Sequence, residues 1–187
     1  MGKTHRVKKT LILLDRDGTL IEEEGYPTDP KRVRLYPGVP RALRELKKAG
    51  FRLAVVSNQS GVGRGLVTLT QLRSVNRRFL QMLKKRRAPI DGLYWCPHRP
   101  EDGCSCRKPK LGMARRAARD FKVSWKRSIS VGDRPSDVEM GRRTGGKGIL
   151  VLTGYGKRWK KSSTADHIAR NFKEAAEWIL KCHPGMS

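Results

Sequence analysis

Asp15-Arg16-Asp17-Gly18-Thr19 puts two carboxylates two residues apart, directly after the apolar run Leu11–Leu14. Side chains at i and i+2 of an extended segment share a face, so both acids can point into one crevice. One aspartate can attack phosphorus while the second protonates the departing oxygen. Gly18 permits a tight turn, and the Thr19 hydroxyl is expected to hold it. Ser57-Asn58 follows a second apolar run and offers a hydroxyl and an amide to a phosphoryl oxygen. Lys108, in Arg107-Lys108-Pro109, can neutralise charge on a transferring group. Gly132-Asp133 follows another apolar run, and Asp133 suits Mg²⁺, which prefers carboxylate and water oxygens. Asp137, four residues on, is expected to pair with Lys108.

A second constellation is Cys96, His98, Cys104 and Cys106, spaced C-x-H-x5-C-x-C. Three thiolates and one imidazole complete a tetrahedral set for structural Zn²⁺. Pro97, Pro100 and Gly103 suit a compact loop over 96–106. Cys182 lies outside the set.

These groups need strand ends to hold them. Leu11–Leu14, Leu53–Val56, Ile90–Trp95, Ser128–Val131 and Ile149–Leu152 read as short buried strands. Helices are expected between them. One runs from Pro40 to Ala49 with Gly50 as its stop. A longer one is capped by Thr68 or Thr70 and carries Leu72, Val75, Phe79, Met82 and Leu83 at helical spacing. A third holds Met113, Ala117 and Phe121, a fourth is capped by Ser136, and the last spans Phe172 to Lys181. The β-α alternation predicts a doubly wound, Rossmann-like parallel sheet in a single α/β domain over 1–187, core about 10–181. Its functional residues belong at the carboxyl ends of the strands.

The 187 residues carry 42 Lys or Arg against 17 Asp or Glu, a formal charge of +25. The excess is spread through segments with strand or helix periodicity: 31–52 hold eight basic residues and one acid, 107–127 nine and one. That pattern describes basic solvent faces of a folded domain, not a nucleic-acid-binding tail. Nonspecific nucleic-acid binding is still expected from the charge. Trp159, between Lys157-Arg158 and Lys160-Lys161, is the one basic-aromatic cluster. No apolar run approaches the ~18 residues that span a membrane, so a soluble, cytoplasmic protein is expected. It is also expected to be a monomer.

Taken in order, the Asp-x-Asp-Gly-Thr segment, Ser57, Lys108 and Gly-Asp-x3-Asp resemble the four motifs of the haloacid dehalogenase (HAD) superfamily of phosphotransferases. With the Cys/His loop, the chain resembles the histidinol-phosphate phosphatase group, and within it the heptose 1,7-bisphosphate 7-phosphatases. Glu24-Gly25-Tyr26, Ser57 to Gly61 and Thr153-Gly154-Tyr155-Gly156 support this. The resemblance implies a capless HAD fold. It makes Asp15 the nucleophile, Asp17 the general acid and base, and Asp15, the Asp17 carbonyl and Asp133 the Mg²⁺ ligands. Ser57 and Lys108 would contact the phosphoryl group. Asn58, Gln59, Ser60 and Arg107 would contact a small phosphorylated sugar, with Glu23, Glu24, Gly25 and Tyr26 lining the site. Ile21 departs from this pattern, where the heptose branch usually has Asn. The implied reaction is Mg²⁺-dependent removal of the heptose 7-phosphate through an aspartyl-phosphate. Histidinol phosphate or another small phosphomonoester is an alternative substrate. A nucleic-acid 3′-phosphatase and a nucleic-acid-binding module are the readings that take the charge at face value.

Overall fold

The computed structural model describes residues 9–183, so the ends of the expected domain, 1–8 and 184–187, lie outside the described residues. Six parallel strands form one sheet: β1 (Leu11–Leu14), β2 (Arg52–Asn58), β3 (Gly92–Cys96), β4 (Ile129–Gly132), β5 (Lys147–Val151) and β6 (His167–Ala169). Their order across the sheet is β3-β2-β1-β4-β5-β6. The chain winds outward from β1 to β3, then returns to place β4 on the other side of β1. Strand order reverses there, and the crevice of such a sheet opens at the carboxyl ends of β1 and β4.

Both faces of the sheet are covered, which explains the continuous apolar runs. In β1 all four residues are buried. Ile12 and Leu14 join one core with Leu53 and Val55, under α1 (Val39–Lys48), α3 (Leu69–Lys85) and α7 (Phe172–Cys182). Leu11 and Leu13 join a second core with Ala54 and Val56, against α4 (Gly112–Phe121) and Met140 of α5 (Pro135–Arg143). The two-residue period of a strand thus divides one apolar run between two layers. Two single turns, α2 (Ser60–Gly63) and α6 (Gly156–Trp159), complete the helices and sit at the crevice end of the sheet.

Thr68 caps α3 with a full capping box, its side chain accepting from Gln71 N–H while Gln71 reaches back. Gly50, just past α1, has φ +90 and stops that helix as expected. Ser136 does not cap α5. Pro135 is the first helical residue, and the Asp137 carboxylate accepts the Arg134 N–H at 3.1 Å. The third strand begins at Gly92 rather than Ile90, because Asp91 faces back across the sheet edge. Its carboxylate accepts from Lys47 Nζ at 2.7 Å, Arg52 Nη1 at 2.7 Å and Leu53 N–H at 2.8 Å. These bonds hold its carboxyl below the usual range, against the opposing effect of burial. Strand β6 was not expected, since three residues give no periodicity to read.

Asp91 ties α1 to the start of β2 and β3. Asp91→Ala should lower stability by about 1.5–3 kcal/mol, because it strands a backbone N–H and two cations. A denaturant melt that moves by less than ~0.5 kcal/mol would refute that role.

Candidate active site

Asp15 follows β1 and is anchored by its N–H on Val131 O of β4, at 2.9 Å. Asp133 follows β4 and is fully buried. Lys108, 4% exposed, reaches this point from the connection between β3 and α4. Its ammonium lies 2.5 Å from Asp15 Oδ1, 2.7 Å from Asp137 Oδ1 and 2.7 Å from Val56 O. The expected Lys108–Asp137 pair is therefore present. Burial disfavours the charged lysine, but Asp137 and Asp15 outweigh it and raise its pKa. Burial pushes Asp15 well above the ordinary carboxylate range, with Lys108 opposing. Burial and then Asp137 push Asp133 up to about 7. One ammonium against three crowded carboxylates leaves the floor of the site short of positive charge.

Asp17 sits above this floor under four donors. Gln59 Nε2 donates at 2.7 Å, Ser57 Oγ at 3.3 Å, and the Arg16 guanidinium from both Nε and Nη2. Arg16 is buried and also donates to Asn76 Oδ1 on α3. The Asp15–Thr19 turn closes through a backbone bond, Gly18 N–H on Ile21 O at 2.8 Å, and through the Thr153 hydroxyl, which donates to Gly18 O at 2.6 Å. Thr19 does not hold it, because its buried hydroxyl makes no hydrogen bond among the described residues. Ile21 is buried in the core, so its departure from the family pattern falls away from the crevice.

A cavity of about 600 Å³ opens over these groups. It gathers Asp15, Asp17, Ser57 and Lys108 with Glu23, Gly25, Tyr26, Asn58, Gln59, Ser60 and Arg107. Asp133 and Asp137 lie beneath it. Glu24 does not line it; its carboxylate turns to Arg32 at 3.3 Å. Asn58, expected to contact substrate, lines the cavity, and its side chain also brackets Lys108, accepting its N–H at 3.0 Å and donating to its carbonyl at 3.2 Å. Burial, then Asp17, raise the Glu23 carboxyl. Arg134, Tyr155, Arg158 and Trp159 also line the cavity. Of these, Arg158 and Trp159 had been visible only as a basic-aromatic cluster.

Cys96, His98, Cys104 and Cys106 converge at the end of β3, with one donor atom from each within 4.8 Å of the others. Sulfur separations of 3.1 and 3.5 Å exclude a disulfide and approach the ~3.8 Å edge of a tetrahedral metal–thiolate site. Burial opposes ionisation at Cys104, but the Arg107 N–H and the neighbouring thiols bring it down to about 7. The cluster is two residues from Lys108 in sequence.

Residues 105–175 match a family profile described as HAD-hydrolase-like. The chain is 36% identical over 184 residues to the D-glycero-D-manno-heptose-1,7-bisphosphate 7-phosphatase of Thermosynechococcus vestitus, covering 90% of this chain and 94% of that one. The chain belongs to the heptose-1,7-bisphosphate 7-phosphatase family. A Haemophilus influenzae relative named D-glycero-beta-D-manno-heptose-1,7-bisphosphate 7-phosphatase is 37% identical over 164 residues, covering 84% of this chain and 89% of its own. The crystal structure of the B. bronchiseptica D,D-heptose 1,7-bisphosphate phosphatase, complexed with magnesium and phosphate, superimposes with a TM-score of 0.83. That structure is 30% identical and covers 92% of this chain and 98% of its own. The expected HAD-type phosphatase fold is thereby established.

This chain's residues have the donor chemistry for a divalent cation of the kind bound in the B. bronchiseptica structure. Asp15, Asp133 and Asp137 place carboxylate oxygens within 4.8 Å of one another. Asp133 Oδ1 is buried with no hydrogen-bond partner among the described residues, while Oδ2 accepts the Tyr155 N–H at 2.7 Å. Two glycines make room for that carboxylate: a Cβ on either Gly18 or Gly154 would lie 2.3 Å from Asp133 Oδ2. Both have positive φ, +76 and +52. Gly154→Ala should therefore cost about 1–3 kcal/mol and displace Asp133. Thermal melts together with phosphate release check this, and a variant unchanged in both would contradict the packing.

Proposed function

We propose that this chain removes the 7-phosphate of D-glycero-D-manno-heptose 1,7-bisphosphate, through an aspartyl-phosphate and with Mg²⁺. The observation that carries the reading is Asp15 at the strand-order reversal, held by Lys108 under a polar cavity with Asp17 beside it. The cavity's volume suits a small phosphorylated sugar. It reads as one catalytic domain, core about 10–181, acting as a monomer in the cytoplasm. Among the described residues no helix is long and apolar enough to cross a membrane.

Asp15 Oδ attacks phosphorus as the bond to the sugar oxygen breaks. Asp17 gives its proton to that oxygen, and the sugar leaves as an alcohol. Water then attacks the aspartyl-phosphate while Asp17 takes a proton from it. Inorganic phosphate departs and Asp15 is restored. Lys108 and the Ser57 hydroxyl stand where they can bind the phosphoryl oxygens. Gln59 and Arg16 orient Asp17 for both transfers. Arg107, half-buried at the cavity rim, is the candidate for the retained phosphate. Mg²⁺, held by Asp15, the Asp17 carbonyl and Asp133, would supply charge neutralisation at the phosphoryl group. The Cys96, His98, Cys104 and Cys106 set would hold Zn²⁺, whose work is to fix the loop that carries Arg107 and Lys108.

Phosphate release from heptose 1,7-bisphosphate, histidinol phosphate and a 3′-phosphorylated oligonucleotide tests the substrate. The heptose bisphosphate should give the highest kcat/KM, and a several-fold preference for either competitor sinks the choice. Asp15→Asn should fold normally and lose roughly 10³-fold or more of kcat. Metal analysis of gently purified protein should find about one zinc per chain, and chelation should lower the melting temperature. A metal-free protein with an unshifted melt would refute the zinc assignment.

A further inference from the structure

The basic-aromatic cluster around Trp159 has its own place in the fold. Arg158 and Trp159 end the single turn α6 and line the same cavity as Asp15. Only two large aromatic side chains among the described residues are strongly exposed, Tyr26 at 47% and Trp159 at 38%. Both line this cavity. An aromatic face left in water at the mouth of a polar pocket is a surface waiting for an apolar flank, such as the C–H face of a sugar.

Arg158 is held without a carboxylate. Its guanidinium lies 4.9 Å from the Tyr155 ring centre, and Arg134 lies 4.2 Å from the same centre. Arg134 has Glu23 at 3.8 Å and Asp133 at 4.0 Å, whereas no acid lies within 4.0 Å of Arg158 among the described residues. Two like charges gathered over one ring, one of them unpaired, make a receptor for an anion. That anion is not the reacting phosphoryl group, whose place is over Asp15 and Lys108.

We infer that Arg158 and Trp159 form a specificity wall for the non-reacting end of a sugar bisphosphate, Arg158 taking the retained phosphate together with Arg107 and Trp159 flanking the sugar. The inference rests on the phosphatase reading above and adds the residues that select the substrate. It predicts effects on KM and on the choice between substrates, since these groups touch nothing that changes in the chemical step.

The test compares heptose 1,7-bisphosphate with heptose 7-phosphate, which lacks only the second phosphate. Wild type should prefer the bisphosphate. Arg158→Ala should cut that preference about tenfold, mainly through KM, with partial recovery in Arg158→Lys. Trp159→Ala should raise KM for both sugars several-fold. Arg158→Gln and Trp159→Leu serve in place of any alanine variant that fails to fold by circular dichroism. A wild-type preference that survives intact in the Arg158 variants overturns the Arg158 assignment, and an unchanged KM for both sugars overturns that of Trp159. A wild type without any preference overturns the substrate reading itself, and the Arg158 assignment with it.

Discussion

A buried ammonium has to be surrounded by acceptors, and Lys108 meets that demand with two carboxylates and a carbonyl from three separate parts of the fold. Asp15 follows β1, Asp137 lies in the first turn of α5, and Val56 is in β2. Each of these parts would be costly to bury alone. An unpaired ammonium or carboxylate at this depth would give up its charge. Together they fix the crevice, because the lysine cannot move without stranding one of them. Asn58 adds a bracket on the Lys108 backbone, so the side chain and the main chain are both located from the sheet.

The loop that delivers Lys108 is placed from its other end by the cysteines. Cys96 belongs to β3, and its carbonyl accepts the Gln59 N–H at 2.7 Å. The Pro97 carbonyl accepts the Gly63 N–H at 2.9 Å. The metal-type cluster is therefore tied by backbone bonds to the segment just past β2 and to α2. A loop with little apolar material of its own gains a rigid geometry from four donors that would close on one cation.

The central strands, most of the helices and the meeting of Asp15, Asp133, Asp137 and Lys108 were legible from the sequence, because strand ends and spaced acids leave local signals. What the sequence hid was orientation. Glu24 and Glu23 are neighbours of the same type, but one pairs with Arg32 and the other lines the cavity. Asn58 lines the cavity, but its two bonds to the Lys108 backbone, 50 residues away in sequence, left no local signal. Thr19 and Ser136 have capping side chains, but Gly18 and Asp137 already hold those turns. Trp159 and Arg158 carried a signal, but local sequence could not say that α6 folds over the crevice. The +25 charge stays largely on solvent faces, where its field favours the approach of anions and fades with salt.

Arg16 connects this crevice to a helix that otherwise only packs. Its guanidinium passes from Asp17 to Asn76 on the inner face of α3. The apolar contacts of α3, through Val75, Phe79 and Leu83, have no direction and would tolerate a small slide or roll. A hydrogen bond to one amide oxygen would not. Asn76 thus works as an index mark: it sets the rotational and axial register of α3 against β1, and it does so from the carboxylate outward.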